Sequence, residues 1–313
     1  MILKLQALIG FCVLGFCSEM VPAAVILIPA GTTSTRYSYA GNQTPIWSGG
    51  TLLALENDST PSPSIKVFGR DGQQLTNLVL TIPQAEVIAV RGFARGDSGL
   101  VVACGRAIDG QGRQVAFLAL FPPNAGALTV VALKDYYAEL PAIAPDGTIW
   151  TVGYEPARQS KADIIRHFDV NGKIVGSLIP ADTFASVLVL ADAHNQFAAS
   201  ANRLAFFAPS AGRYIELSLD GKVTADIKTG ALGQREKVYS FALTNEGRAF
   251  FTTQDPTPPR HRNLYLLDTR SGQLTAIAMP GGLIELHGAD GSNLVGRTGD
   301  GREFAFFSVQ DSH

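Results

Sequence analysis

The sequence predicts an all-β fold: a six-bladed β-propeller of four-stranded antiparallel blades, its ring closed by the N-terminal strand. Three observations carry this. Short runs rich in Val, Ile, Trp and Phe are separated by Asp-Gly and Asn-Gly pairs, which supply the positive φ of tight hairpin turns. Two interleaved series of turn residues recur about every fifty residues, the period of a propeller blade. They are Gly50, Gly99, Gly147, Asn195, Gly247 and Gly291 for a first turn, and Gly72, Gly126, Gly172, Gly221 and Gly272 for a later one. The last unit is one strand short, while an unassigned apolar run, Ala24 to Pro29 (AVILIP), stands ahead of the first. A propeller that lets one terminus complete the other's blade leaves no exposed sheet edge at the join.

Residues 1–23 read as a secretory signal, with the propeller domain spanning 24–313. Lys4 is the one charged side chain before Glu19, and the apolar stretch from Ala7 to Cys17 is too short to span a bilayer. Val21-Pro22-Ala23 offers small residues for cleavage. Phe11 and Phe16 precede the two early cysteines, where a lipoprotein signal wants a small residue. An uncleaved anchor is the alternative. The expected location is therefore periplasmic or extracellular, with no stable membrane insertion once the signal is removed. Cleavage leaves Cys104 alone, in the apolar strand LVVACG, so no internal disulfide forms and a buried, inert thiol is expected.

The units follow in order. The first reads PIWSGG, TLLALEN, SIKVFGR and LTNLVLTI; the second EVIAVRG, LVVACG, QVAFLALF and LTVVAL. The third, from Leu140 to Leu178, is the clearest: LPAIAPDGTIWTVGY, a polar loop, then DIIRHFDVNGKIVGSL. The fourth is SVLVLAD, QFAASA, RYIELSL and KVTADI, the fifth VYSFALT, RAFFTT, NLYLLDT and QLTAIAM. The sixth has LIELHGA, NLVGRT and EFAFFSV, and AVILIP is expected to pair with EFAFFSV as its outermost strand. Of the 313 residues 46% are hydrophobic, and the formal charge is −2. Such a chain can bury a large core, and its balance argues against nucleic acid as a partner.

The repeat in the third unit, together with VFGRDGQQL from Val67 and IELSLDGKVTADI from Ile215, resembles that of the NHL-type and lactonase-like six-bladed propellers. The aspartate those families often carry after the second strand is missing from most units. The resemblance implies the fold and leaves two functions open. The leading one is an exported ligand- or protein-binding module without a cofactor. The other is a channel-centred hydrolase or lyase of the lactonase kind, which would hold a divalent metal among converging oxygens and draw on Glu139, Glu86 or His287. Glu86, Glu139 and Glu236 stand near the starts of innermost strands, but at unequal distances from the first-turn glycine, so they need not share a level. No metal ligand set and no catalytic residue is assigned.

Two short motifs reduce to turns. GDSG from Gly96 to Gly99 resembles a serine-protease nucleophile loop, yet all five histidines lie downstream of Ser98, whereas that family needs one upstream. Arg95-Gly96-Asp97 falls in the same hairpin. The loops are more informative. Those joining strands two to three, and one blade to the next, emerge on one face, and the long ones cluster there: Gly31 to Gln43, Lys134 to Glu139, Glu155 to Ala162, Lys228 to Lys237 and Gln254 to Arg262. Loops elaborated on one side of a rigid repeat build binding surfaces. The expected site there comprises Tyr136, Tyr137, Glu139, Arg235, Arg260, His261 and Arg262, with Tyr37, Tyr39 and Arg158 beside them. Arginines among aromatics suit a protein or a small anionic or carbohydrate ligand.

Overall fold

The computed structural model describes residues 25–311, apart from 34–36, 38–43, 124–125, 158–161, 185–189, 193, 230–236, 255–261, 270 and 300–302. The signal segment thus lies outside the described residues, as do Tyr39, Arg158, Arg235, Arg260 and His261. The described residues form six four-stranded antiparallel sheets, taken in chain order around the ring. The first sheet holds β2 (Ile46–Ser48), β3 (Thr51–Glu56), β4 (Ser64–Phe68) and β5 (Gln74–Val79). The second holds β6 (Ala85–Arg95), β7 (Val101–Asp109), β8 (Gln114–Phe121) and β9 (Thr129–Leu133). The third holds β10 (Tyr137–Ile143), β11 (Ile149–Tyr154), β12 (Asp163–Phe168) and β13 (Ile174–Pro180). The fourth holds β14 (Gln196–Ala199), β15 (Arg203–Ala208), β16 (Arg213–Ser218) and β17 (Val223–Lys228). The fifth holds β18 (Lys237–Leu243), β19 (Ala249–Gln254), β20 (Arg262–Leu267) and β21 (Leu274–Ile277).

The sixth sheet has three consecutive strands, β22 (Leu283–Asp290), β23 (Asn293–Thr298) and β24 (Glu303–Asp311). Its fourth comes from the other end of the chain: β1 (Val25–Thr32) pairs antiparallel with β24, from Val25 opposite Asp311 to Thr32 opposite Ala305. Beyond β1, the Thr33 N–H donates to Phe304 O (3.0 Å) and its hydroxyl to Asp71 O of the first sheet (3.3 Å). Among the described residues no helix is long and apolar enough to cross a membrane.

Burial explains the strand pattern. The second strand of a blade is sandwiched between both neighbouring blades, so β3, β11 and β19 are buried along nearly their whole length, with no alternation. Outer strands such as β5 and β17 face solvent and carry polar residues. Each of the six junctions between blades has its own apolar cluster, including one that joins the sixth sheet to the first through Trp47, Phe68, Phe304 and Phe306. The Asn-Gly turn at Gly172 (φ +80°) tucks against the preceding blade, where an added Cβ would lie 2.9 Å from Val131. That glycine serves both the turn and the packing.

The fourth blade corrects the sequence reading. Its innermost strand is β14, QFAA, and its second is β15, RLAFFA; the first turn lies at Ala201 and Asn202, not at Asn195. Of SVLVLAD, Ser186 to Val189 lie outside the described residues, and Leu190 and Ala191 form part of a helical turn. Leu190 is buried in the cluster between the third and fourth blades. Leu190 thus covers a junction, while the strand nearest the axis is the short QFAA.

Candidate functional site

The innermost strands β2, β6, β10, β14, β18 and β22 are each hydrogen-bonded on one side only, so their other edges line a central channel. Three of them carry a β-bulge at the same level. The ladder skips Arg91 in β6, Glu139 in β10 and Tyr239 in β18, each the fifth residue from the end of its strand. A bulge leaves one residue unpaired and re-aims its side chain. The bulges also bring main chains close: an added Cβ at Gly105 would lie 2.1 Å from Ala89 O, and at Gly153 2.1 Å from Tyr137 O. Only glycine fits opposite the bulge in these two blades.

The bulge level lies toward the long-loop end and holds a charged cluster at the junction of the second and third blades. Arg106 donates to Glu139 Oε1 (2.7 Å) and to the Tyr154 hydroxyl (2.8 Å), and its guanidinium covers the Tyr137 ring at 4.4 Å. Tyr137 and Tyr154 meet edge to face, with centroids 5.7 Å apart. Arg91, nearly half exposed, stands 3.7 Å from the other oxygen of Glu139. Burial pushes the Glu139 carboxyl above its usual range, opposed by Arg106 and Arg91. Burial pulls Arg106 down, but Glu139 and Tyr154 more than offset it, and its guanidinium is held above its usual range.

A second cluster of the same composition sits at the junction of the fifth and sixth blades, on the opposite side of the ring. Arg262 Nη1 lies 3.4 Å from Glu285 Oε2 and donates to Ile284 O (2.6 Å). Arg297 Nε lies 3.3 Å from Glu285 Oε1. Each cluster sets two arginines on one glutamate and so keeps one positive charge in excess.

Of the expected site residues, Tyr137, Glu139 and Arg262 belong to these clusters. Tyr136 does not, and its surface placement is corrected. It is fully buried, with its hydroxyl 3.1 Å from the carbonyl oxygens of Thr151 and Ile164 and the Arg166 guanidinium over its ring. In the pair Tyr136-Tyr137 the strand's alternation sends one ring into the core. Tyr37 is likewise buried, its hydroxyl bonded to His287 Nε2 and its ring against Phe68 and Phe304. His287 is thereby a junction residue, and burial, then Arg297, lower its pKa to about 3. Cys104 is fully buried, and burial pushes its thiol up. Arg91, Arg106, Tyr154 and Tyr239 were missed by the sequence reading. One signal marked two of them: Arg91, Glu139 and Tyr239 precede the first-turn glycines Gly99, Gly147 and Gly247 by the same interval.

A divalent cation does not fit these carboxylates, because Glu139 and Glu285 are each already engaged by two guanidinium groups. Among the described residues no three His, Cys, Asp or Glu side chains converge. At the other end of the axis, between the compact first turns, lies a cavity of about 310 Å³.

No protein-family model matches the chain, and no curated protein sequence matches it. Solved structures do. The calcium-binding protein regucalcin from Agrobacterium tumefaciens superposes with a TM-score of 0.54 at 14% identity, over 93% of this chain and 97% of its own. A putative exported protein from Bacteroides fragilis gives 0.52 at 11% identity, over 92% and 95%. An auxiliary nutrient binding protein from Bacteroides ovatus gives 0.51 at 11% identity, over 92% and 78%. Likeness at such identities concerns the fold alone. The chain is a six-bladed β-propeller.

Proposed function

We propose that this protein is an exported binding module whose long-loop channel mouth holds an anionic partner, either a small acidic or carbohydrate ligand or an acidic protein segment. The observation that carries the reading is the pair of two-arginine, one-glutamate clusters on opposite sides of that mouth. Each retains an uncompensated positive charge beside aromatic or main-chain polar surface. A guanidinium pre-oriented by its own carboxylate meets an incoming anion with little further ordering. Arg235, Arg260 and His261 would extend this surface along the loops. The secretory signal read at residues 1–23, and the exported and nutrient-binding structural neighbours, support export and binding.

The test is retention of the mature chain on immobilised oligogalacturonate, an acidic carbohydrate. Binding should fall steeply between low and physiological salt. The double variant Arg91→Ala, Arg262→Ala should elute about tenfold more weakly held, as for the loss of two charge-assisted contacts. Absence of retention by the parent at low salt, or equal retention by the variant, removes this reading.

A further inference from the structure

The cavity at the compact-turn end belongs to none of the clusters above, and its chemistry is different. All six blades contribute to it. Side chains of the innermost strands leave the axis on alternate sides for the neighbouring blades: Phe93 packs at the junction of blades one and two, Ala94 at that of two and three. Phe241 and Ala242 divide in the same way. What faces the axis is therefore largely the free edge of each strand, a row of N–H and C=O groups, of which a few are met by a neighbouring blade, as Arg95 is by Ser48 Oγ and Leu286 by Ser240 Oγ, and the others are open to water or a polar ligand.

The next-to-last residue of the innermost strand lines the cavity and is small in five blades: Ala94, Ala142, Ala198, Ala242 and Ala289. Its rim carries Arg95, Asp97, Asn245 and Asp290. Arg95 is pinned by donating to Gly49 O and stands beside Asp97, which offsets its charge. Asp290 is paired with Arg70 at 2.9 Å. Asn245 Oδ1 accepts the Ala201 N–H (3.2 Å), which turns the amide so that its NH₂ remains as a donor. The rim is thus charge-balanced, fixed in place and rich in both donors and acceptors. At about 310 Å³ the cavity sits at the small end of ligand sites.

We infer that this cavity binds an uncharged, polyhydroxylated small molecule of about monosaccharide size. The pairing of a main-chain wall with a neutral polar rim suits hydroxyl groups, each both donor and acceptor, and offers a carboxylate or phosphate no net charge. This site is independent of the anion reading at the other mouth.

Calorimetric titration of the mature chain with D-glucose, D-galactose and myo-inositol, each to tens of millimolar, tests it. At least one should bind. Asn245→Asp keeps the oxygen that accepts the Ala201 N–H and replaces the donor, so it should weaken binding about tenfold. Asp97→Ala, at an exposed position that does not endanger folding, should weaken it several-fold, while Arg113→Ala, on the exposed hairpin between β7 and β8, leaves it unchanged. Absence of heat with all three compounds overturns the inference. So does binding that survives both rim substitutions, or that disappears with Arg113→Ala.

Discussion

The two ends of the channel are made from the same six strands and present opposite chemistry. At the long-loop end, bulges at Arg91, Glu139 and Tyr239 interrupt the ladder and turn side chains toward the mouth. At the compact-turn end the ladder is regular in these three blades, side chains leave for the neighbouring blades, and main chain faces the axis. The lesson is that a repeat scaffold differentiates its two faces by interrupting strand pairing, with no change of topology. Among the described residues one mouth gains two arginine-rich clusters, and the other stays polar.

The comparison assumes a complete ring, and the largest expected effect comes from breaking it. Deleting Ala24 to Pro29 removes most of β1 and exposes β24 as an apolar edge. A loss of about 4–5 kcal/mol, or aggregation, is expected in urea unfolding and light scattering. A truncated chain that melts like the parent would show that β1 contributes nothing to the ring.

The next effect separates the two ends. Gly153→Val drives a side chain into Tyr137 O opposite the Glu139 bulge and should cost about 3 kcal/mol. Gly50→Ala, at the compact turn, meets open space and costs only the left-handed backbone strain at φ +69°, about 1 kcal/mol. Equal urea midpoints for the two variants would contradict the claim that the bulge depends on glycine.

The smallest effect concerns His287, buried at the junction of the sixth and first blades beside the compact-turn cavity. Its folded pKa, about 3, lies below the ordinary 6.5, so the unfolded chain takes up a proton that the folded chain refuses. Its contribution is complete above pH 6.5 and is lost as pH falls toward 3. The slope attributable to this residue is at most about 1.4 kcal/mol per pH unit. Urea unfolding at pH 6.5, 5.5 and 4.5 should show that slope in the parent and a flatter one in His287→Phe. Parallel profiles would assign the acid sensitivity elsewhere.

Local chemistry alone determined the blade count, the four-strand units and the partner of the N-terminal strand. Asp-Gly and Asn-Gly turns and apolar runs are short-range signals, and a missing strand has one available complement. The fourth blade was misread because SVLVL is a better strand former than QFAA, and crowding at the axis, invisible in a local window, prefers the smaller residues. Tyr136 was placed on the wrong surface for a related reason: a one-residue step along a strand reverses which side of the sheet a ring faces. The sequence also named Glu139 and Arg262, since charged residues beside loops stand out. It could not bring Arg91, Arg106 and Glu139 together, or set Arg262 and Arg297 on Glu285. Those contacts cross blade junctions, and their geometry depends on bulges set by how closely neighbouring main chains approach. Only the assembled ring decides that distance.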